Sequence, residues 1–280
     1  MSVQRIAVIG AGTMGGGIAI AALLSGLAVE LVDRPEVRER AQARIERYLD
    51  GLLSRGRLGA GDKPELLDRL TWRSGVDALS GPEMVIEAVS EDPAVKGEVL
   101  AGLPRDFGGL VGTNTSSLSV SALSRFAPDP HRFLGLHFFN PAERMALVEV
   151  VPGALTSEET LSAAAAFVRA IGKEPITAPD GPGFIVNRVA RPIYLEALRL
   201  VGEGGATVEA VDRLVEGMAF PLGPFRLMDL IGIDVNLAVS ESVYRQLMDQ
   251  PRLRPHPLQR RMVDMGRLGR KSKLGFYRYE

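Results

Sequence analysis

Residues 3–33 constrain the fold more than any other stretch of this chain. Val3–Ile9 is a short apolar run that ends at Gly10-Ala11-Gly12-Thr13-Met14-Gly15, after which Ile18, Ala19, Ala22 and Leu23 recur at helical spacing up to Ser25-Gly26. A second apolar run, Ala28–Val32, closes on Asp33, 23 residues after Gly10. A lone GxGxxG carries little weight. One that follows a strand, opens a helix and precedes an acid at a second strand's end points to a dinucleotide-binding βαβ unit. Gly10 makes the tight turn, Gly12 lets backbone approach a pyrophosphate, and Gly15 lets helix pack on strand. The phosphates belong at the helix N-terminus, where Thr13 and Met14 stand. Asp33 accepts the adenosine ribose hydroxyls and repels a 2′-phosphate, which favours NAD over NADP, while Arg34 pulls slightly the other way.

The same glycines argue against a signal peptide, because they break the apolar run that such a helix needs. A formal charge of −1, from 33 basic and 34 acidic residues, gives no general reason to expect nucleic acid or an anionic membrane as a partner. Hydrophobic content of 46% with 24% charged residues suits a soluble globular protein with an ample core. With no Cys and three scattered His, no metal cluster is expected, and the lack of Cys fits a reducing cytoplasm.

Beyond Asp33 the pattern predicts an α/β architecture. Residues 36–70 read as two solvated helices interrupted between Gly51 and Gly61, a stretch that holds Arg55 and Arg57. Strands are expected near Leu70–Arg73, Met84–Glu87 and Leu110–Gly112, with a helix over Pro93–Leu103, and this alternation indicates a Rossmann-type, mostly parallel sheet. Residues just past strand C-termini face the ligand crevice of such a sheet, which selects Glu87, Glu91 and the run from Thr113 to Ser117, with Ser116 the best candidate for a ligand contact. Ser117 and Ser119 read as helix caps.

Residues 133–151 then form two apolar runs, Phe133–Phe139 and Ala146–Val151, joined by Asn140-Pro141-Ala142-Glu143-Arg144, which predicts a hairpin. Glu149 stands in the second run, and a carboxylate buried there needs a partner. His137, in the facing strand, can donate to it and can move a proton near neutral pH. A further helix over Glu158–Ala170 and a strand at Glu174–Thr177 lead to the breakers Ala178–Gly183. A boundary placed there gives residues 1–181 as the NAD-binding domain and 182–280 as an all-helical substrate and dimerisation domain. Asn187 and Arg188 lie near the start of its first helix. Asp229 and Asp234, in LMDLIGID, read as a helix start and a cap, and the basic tail GRLGRKSKLGFYRY reads as a solvated end or ligand-edge loop.

Taken in order, GAGTMGGGIA, VIEAV, TNTSSL, GLHFFNP, LVEVV, GPGFIVNR, GPFRLMDLIGID and GFYRY resemble the short-chain L-3-hydroxyacyl-CoA dehydrogenase family, which includes bacterial 3-hydroxybutyryl-CoA dehydrogenases. The resemblance runs from Arg5 to Tyr279. It implies hydride transfer between NAD and the C3 carbon of an (S)-3-hydroxyacyl-CoA, a reaction of fatty-acid oxidation, in a homodimer built through the helical domain. His137 matches the catalytic base and Glu149 the carboxylate that orients it. Ser116 and Asn187 match residues that hold the reacting oxygen and the thioester end of the substrate, and Asn140 a nearby active-site amide. Glu91 and Lys96 match residues near the nicotinamide ribose, with Asn114 beside them on the cofactor side. The CoA moiety is expected against the N-terminal helical hairpin, near Arg55 and Arg57. Ala146 stands where many members carry Lys, and SKLGFY replaces the common TGxGFY, departures that bear on the acyl group and CoA contacts. A related dehydrogenase of a CoA-free hydroxy acid, such as a sugar acid or carnitine, and a noncatalytic crystallin-like NAD-binding protein are the rival readings.

Overall fold

The computed structural model describes residues 3–280, which divide between Asp180 and Gly181 into two compact units. The first unit opens with β1 (Arg5–Ile9), α1 (Thr13–Leu24), β2 (Ala28–Val32), α2 (Pro35–Leu53), α3 (Asp62–Asp68) and β3 (Leu70–Arg73). It continues with β4 (Met84–Glu87), α4 (Pro93–Ala101), β5 (Leu110–Thr113), α5 (Val120–Ser124), β6 (Phe133–Phe138), β7 (Leu147–Pro152), α6 (Glu158–Ala170) and β8 (Glu174–Thr177). The strands form one sheet in the order β3-β2-β1-β4-β5-β6-β7-β8. All neighbours pair in parallel except β6 and β7, which form the expected antiparallel hairpin.

Helices cover both faces of the parallel part, so β1, β4 and β5 read as continuous apolar runs rather than alternating ones. Ile6, Val8, Leu31, Met84, Ile86 and Leu134 fill the core with Ile18 and Leu23 of α1 and Ile45 and Leu49 of α2. The strand order reverses direction between β1 and β4, and ligands of such sheets bind outside the carboxyl ends of the strands at that point. Asp180, the last residue of this unit, accepts from Val120 N (2.9 Å), Ser121 N (2.8 Å) and the Ser119 hydroxyl (3.1 Å), which fixes the chain's exit on the start of α5.

The second unit is helical: α7 (Val186–Gly202), α8 (Val208–Gly217), α9 (Pro224–Ile231), α10 (Ile233–Gln246) and α11 (Pro257–Asp264). Tyr194, Leu198, Phe225, Met228, Ile233 and Met262 make its core. The structure corrects three readings of its sequence. Asp229 is not at a helix start; it lies inside α9, 1% exposed, where its carboxylate accepts from Phe276 N (3.0 Å), Tyr277 N (2.9 Å) and the Tyr279 hydroxyl (2.9 Å). The tail is therefore a fixed part of this unit rather than a solvated end, because a buried carboxylate needs donors and the tail supplies them. Asp234 does stand in the first turn of α10, but Gly232 holds the capping position and Asp234 pairs with Lys271 at 2.6 Å. Among the described residues no helix is long and apolar enough to cross a membrane.

Candidate active site

The glycine turn leaves β1 with Gly10 at φ 100°, its N–H bonded to Val32 O at 2.8 Å. A Cβ at Gly10 would press on the Ala88 carbonyl, and one at Gly15 would overlap the Gly10 carbonyl oxygen. Both glycines are thus required by the turn's own packing. Gly12 is different: nothing lies within 4 Å of a Cβ built there. It is the N-cap of α1, no side chain caps that helix end, and no acid stands in its first turn. Uncapped peptide N–H groups and the positive end of the helix dipole therefore meet an open surface, the arrangement that receives a phosphate. Thr13 is exposed at this opening, and Met14 is half-buried against the core.

Asp33 Oδ2 accepts from Ala11 N and Oδ1 from Arg34 N, both at 2.7 Å. The carboxylate braces the turn, and each oxygen keeps a second lone pair for a ribose hydroxyl. Open space at Gly12, an uncapped helix end and a carboxylate at the end of β2 together fit a dinucleotide.

The ends of β4 and β5 carry a buried polar network. Glu87, 0% exposed, accepts from Lys96 Nζ (2.8 Å), the Thr113 hydroxyl (2.6 Å) and Val89 N (2.7 Å). Lys96 is equally buried, and its ammonium also lies 3.5 Å from Glu91 Oε2. Glu91 Oε1 in turn accepts from the Thr115 hydroxyl (2.8 Å), Ser116 N (2.7 Å), the Ser116 hydroxyl (2.9 Å) and Ser117 N (3.1 Å). Burial pushes the Glu91 pKa up, but Lys96 and the bonds from Thr115 and Ser116 outweigh it and hold the carboxyl below its ordinary range. Ser116 is thereby fixed by a carboxylate that is itself fixed from below. Ser119 caps α5 as expected, whereas Ser117 binds Glu91 instead. Asn114 Oδ1 accepts from Phe138 N at 2.9 Å, tying the end of β5 to the residue after His137.

His137 and Glu149 stand opposite each other in the β6–β7 register, with Nδ1 and Oε2 2.6 Å apart. Glu149 is fully buried and His137 rests against the Phe139 ring, 4.5 Å between centroids. With Nδ1–H given to the carboxylate, the lone pair is on Nε2, and the imidazole is oriented as a base. The pair lies at the carboxyl end of β6, the same sheet edge as the glycine turn, Glu91 and Ser116.

Asn140 is exposed in the turn of the hairpin, and Arg55 and Arg57 are exposed in the loop that follows α2. In the second unit Asn187 occupies the first turn of α7, its carbonyl accepting from Arg191 Nε at 3.2 Å. Sequence reasoning missed Arg44, half-buried on α2 and bonded to the glycine turn.

Residues 5–181 match the family model described as 3-hydroxyacyl-CoA dehydrogenase, NAD binding domain, and residues 183–279 match its C-terminal domain counterpart. The chain is 43% identical to a 3-hydroxyadipyl-CoA dehydrogenase of Escherichia coli K12, aligning over 99% of its own length and 59% of that relative's. It is 38% identical to a 3-hydroxybutyryl-CoA dehydrogenase of Mycobacterium tuberculosis H37Rv, over 99% of each chain. The solved structure of an (S)-3-hydroxybutyryl-CoA dehydrogenase from Ralstonia eutropha superposes with a TM-score of 0.91 at 37% identity, covering 100% of both chains.

Proposed function

The chain belongs to the 3-hydroxyacyl-CoA dehydrogenase family, and from that premise we propose that it moves a hydride between NAD and C3 of an (S)-3-hydroxyacyl-CoA, with His137 as general base. The observation that carries this reading is the His137–Glu149 pair, at 2.6 Å, on the sheet edge that also bears the dinucleotide turn. NAD, when bound, supplies the hydride acceptor. His137 takes the proton of the 3-hydroxyl at Nε2 and becomes imidazolium, and Glu149 holds Nδ1–H and stabilises that charge. Ser116, held by Glu91, orients the reacting oxygen, and Asn187 is assigned to the thioester end of the substrate. Gly10, Gly12 and Gly15 form the turn that takes the pyrophosphate of the cofactor and Asp33 takes the adenosine ribose, with Glu91 towards the nicotinamide ribose and Lys96 supporting it. General-base assistance contributes roughly 10²–10⁴ in rate, so positioning of the two reactants supplies much of the rest.

Relatives named 3-hydroxybutyryl-CoA dehydrogenase support a 3-hydroxybutyryl or related acyl group. Arg55 and Arg57 present two exposed cations on the helical hairpin where the phosphates of CoA are assigned. Val189, Ile193 and Leu200 leave an apolar stripe exposed along α7, which supports a homodimer through the helical unit. The absence of Cys supports a cytoplasmic setting. The deciding assay follows NADH absorbance with acetoacetyl-CoA and, in parallel, with free acetoacetate and other free 3-oxo acids. Rapid oxidation with the CoA ester alone is expected; equal turnover of the free acid would overturn the CoA assignment.

A further inference from the structure

Arg44 lies on α2, in a charge-rich helix that sequence alone marks as solvated, yet its side chain is half-buried against the glycine turn. Its Nη2 donates to Ala11 O at 2.7 Å and to Gly12 O at 2.5 Å. Gly12 O also accepts from Gly16 N at 2.9 Å, the first helical bond of α1. We propose that Arg44 is a positioning residue for the cofactor's pyrophosphate, acting through the two peptide units that it holds; the proposal rests on the dinucleotide reading of the turn.

The argument is geometric. In a trans peptide the C=O of one residue and the N–H of the next point in opposite directions. A guanidinium that gathers the carbonyls of Ala11 and Gly12 on one side therefore turns the N–H groups of Gly12 and Thr13 to the other, where Gly12 leaves the surface open. It also adds a full positive charge behind peptide dipoles whose positive ends face the ligand. The glycine run has a place for this side chain: a Cβ at Gly16 would collide with the Arg44 guanidinium and with nothing nearer. Burial and neighbouring Arg40 both weaken the charged form of Arg44, and Glu143, from the turn of the hairpin, supports it.

The test is titration of NADH, ADP-ribose and adenosine into wild-type chain, R44M and G16A, with thermal unfolding of each unliganded protein. Replacing Arg44 by Met removes charged hydrogen bonds to the turn, so affinity for NADH and ADP-ribose is expected to fall about tenfold or more. Adenosine, which has no phosphate, is expected to bind almost as before, and the salt dependence of NADH binding is expected to become shallower. G16A displaces the guanidinium while adding a better helix former, so its melting temperature holds or rises as ADP-ribose affinity falls. A brace with no role in phosphate binding would not produce that opposition. Unchanged ADP-ribose affinity in both variants, or adenosine weakened in the same proportion, overturns the proposal. A wild-type chain that bound no NADH would overturn the dinucleotide reading along with it.

Discussion

His137 and Glu149 are register partners across β6 and β7, with Nδ1 2.6 Å from Oε2 and neither residue more than 5% exposed. Side chains alternate faces along a strand, so a slip of one residue in this hairpin would send the two groups to opposite faces of the sheet. The turn from Phe139 to Ala146 sets the register, and with it the pair. His137→Ala should therefore lower turnover by roughly 10²–10⁴ while NADH titration shows nearly unchanged affinity. Glu149→Gln keeps the shape but removes the anion behind the imidazolium, and turnover should fall by roughly 10²-fold or more. Near-normal turnover in either variant would remove that residue from the mechanism.

Gly12 and Gly15 separate binding from folding. At Gly12 an added Cβ meets nothing within 4 Å, so Gly12→Ala should unfold at about the wild-type temperature yet bind NADH much more weakly, because the methyl group occupies the pyrophosphate's approach. At Gly15 the Cβ overlaps the Gly10 carbonyl oxygen, so Gly15→Ala should lose stability as well as binding. Thermal unfolding beside NADH titration distinguishes the two. A Gly12→Ala chain with wild-type NADH affinity would place the phosphates elsewhere.

Glu91 gives the first unit a predictable acid limb. Burial works against its ionisation, but Lys96, Thr115 and Ser116 prevail and its pKa falls below the ordinary 4.5. A carboxyl with a depressed folded pKa contributes stability that is fully present above its unfolded value and is lost as pH falls through the folded one. Glu91→Gln should thus be less stable at pH 7, on the order of 1 kcal/mol because the carboxylate is partly exposed, and the gap should close below about pH 4.5. Urea unfolding at pH 7, 5 and 4 measures it. A gap independent of pH would mean that the carboxylate's charge plays no part in holding Ser116.

Local pattern carried much of this. The alternation of apolar runs and helical spacing sufficed for the parallel sheet, and His137 with Glu149 stood out because each interrupts a run otherwise fit for a core. What local pattern concealed depends on partners distant in sequence. Arg44 looks like any solvated residue of a charged helix, since its acceptors, Ala11 O and Gly12 O, belong to another element. Asp229 and the tail that binds it are 47 residues or more apart, and the Lys and Arg of that tail disguise backbone N–H groups committed to a buried acid. The short helices α9 and α11 have eight residues each, too few for a clear period; Pro224 and Pro257 in their first turns are the local signal that could have placed their starts.

That tail yields the last prediction. Tyr277 donates to Asp212, itself fully buried and capping α9 through Phe225 N (2.9 Å) and Arg226 N (3.0 Å), so the C-terminus closes two buried carboxylates at once. Removing residues 276–280 strips Asp229 of the donors from Phe276, Tyr277 and Tyr279, and a buried charge left without partners costs about 3–5 kcal/mol. The truncated chain should show earlier melting and faster proteolysis within residues 181–280. Alkali should produce a milder form of the same loss. Burial, then the bond to Asp229, pushes the Tyr279 phenol up to about 12, so the stability it contributes is complete below the ordinary value of 10.0 and disappears as pH rises through about 12. Tyrosine absorbance should show a late-titrating phenol that Asp229→Asn brings back towards 10.0. If truncation leaves melting and proteolysis unchanged, the tail does not hold the helical unit together.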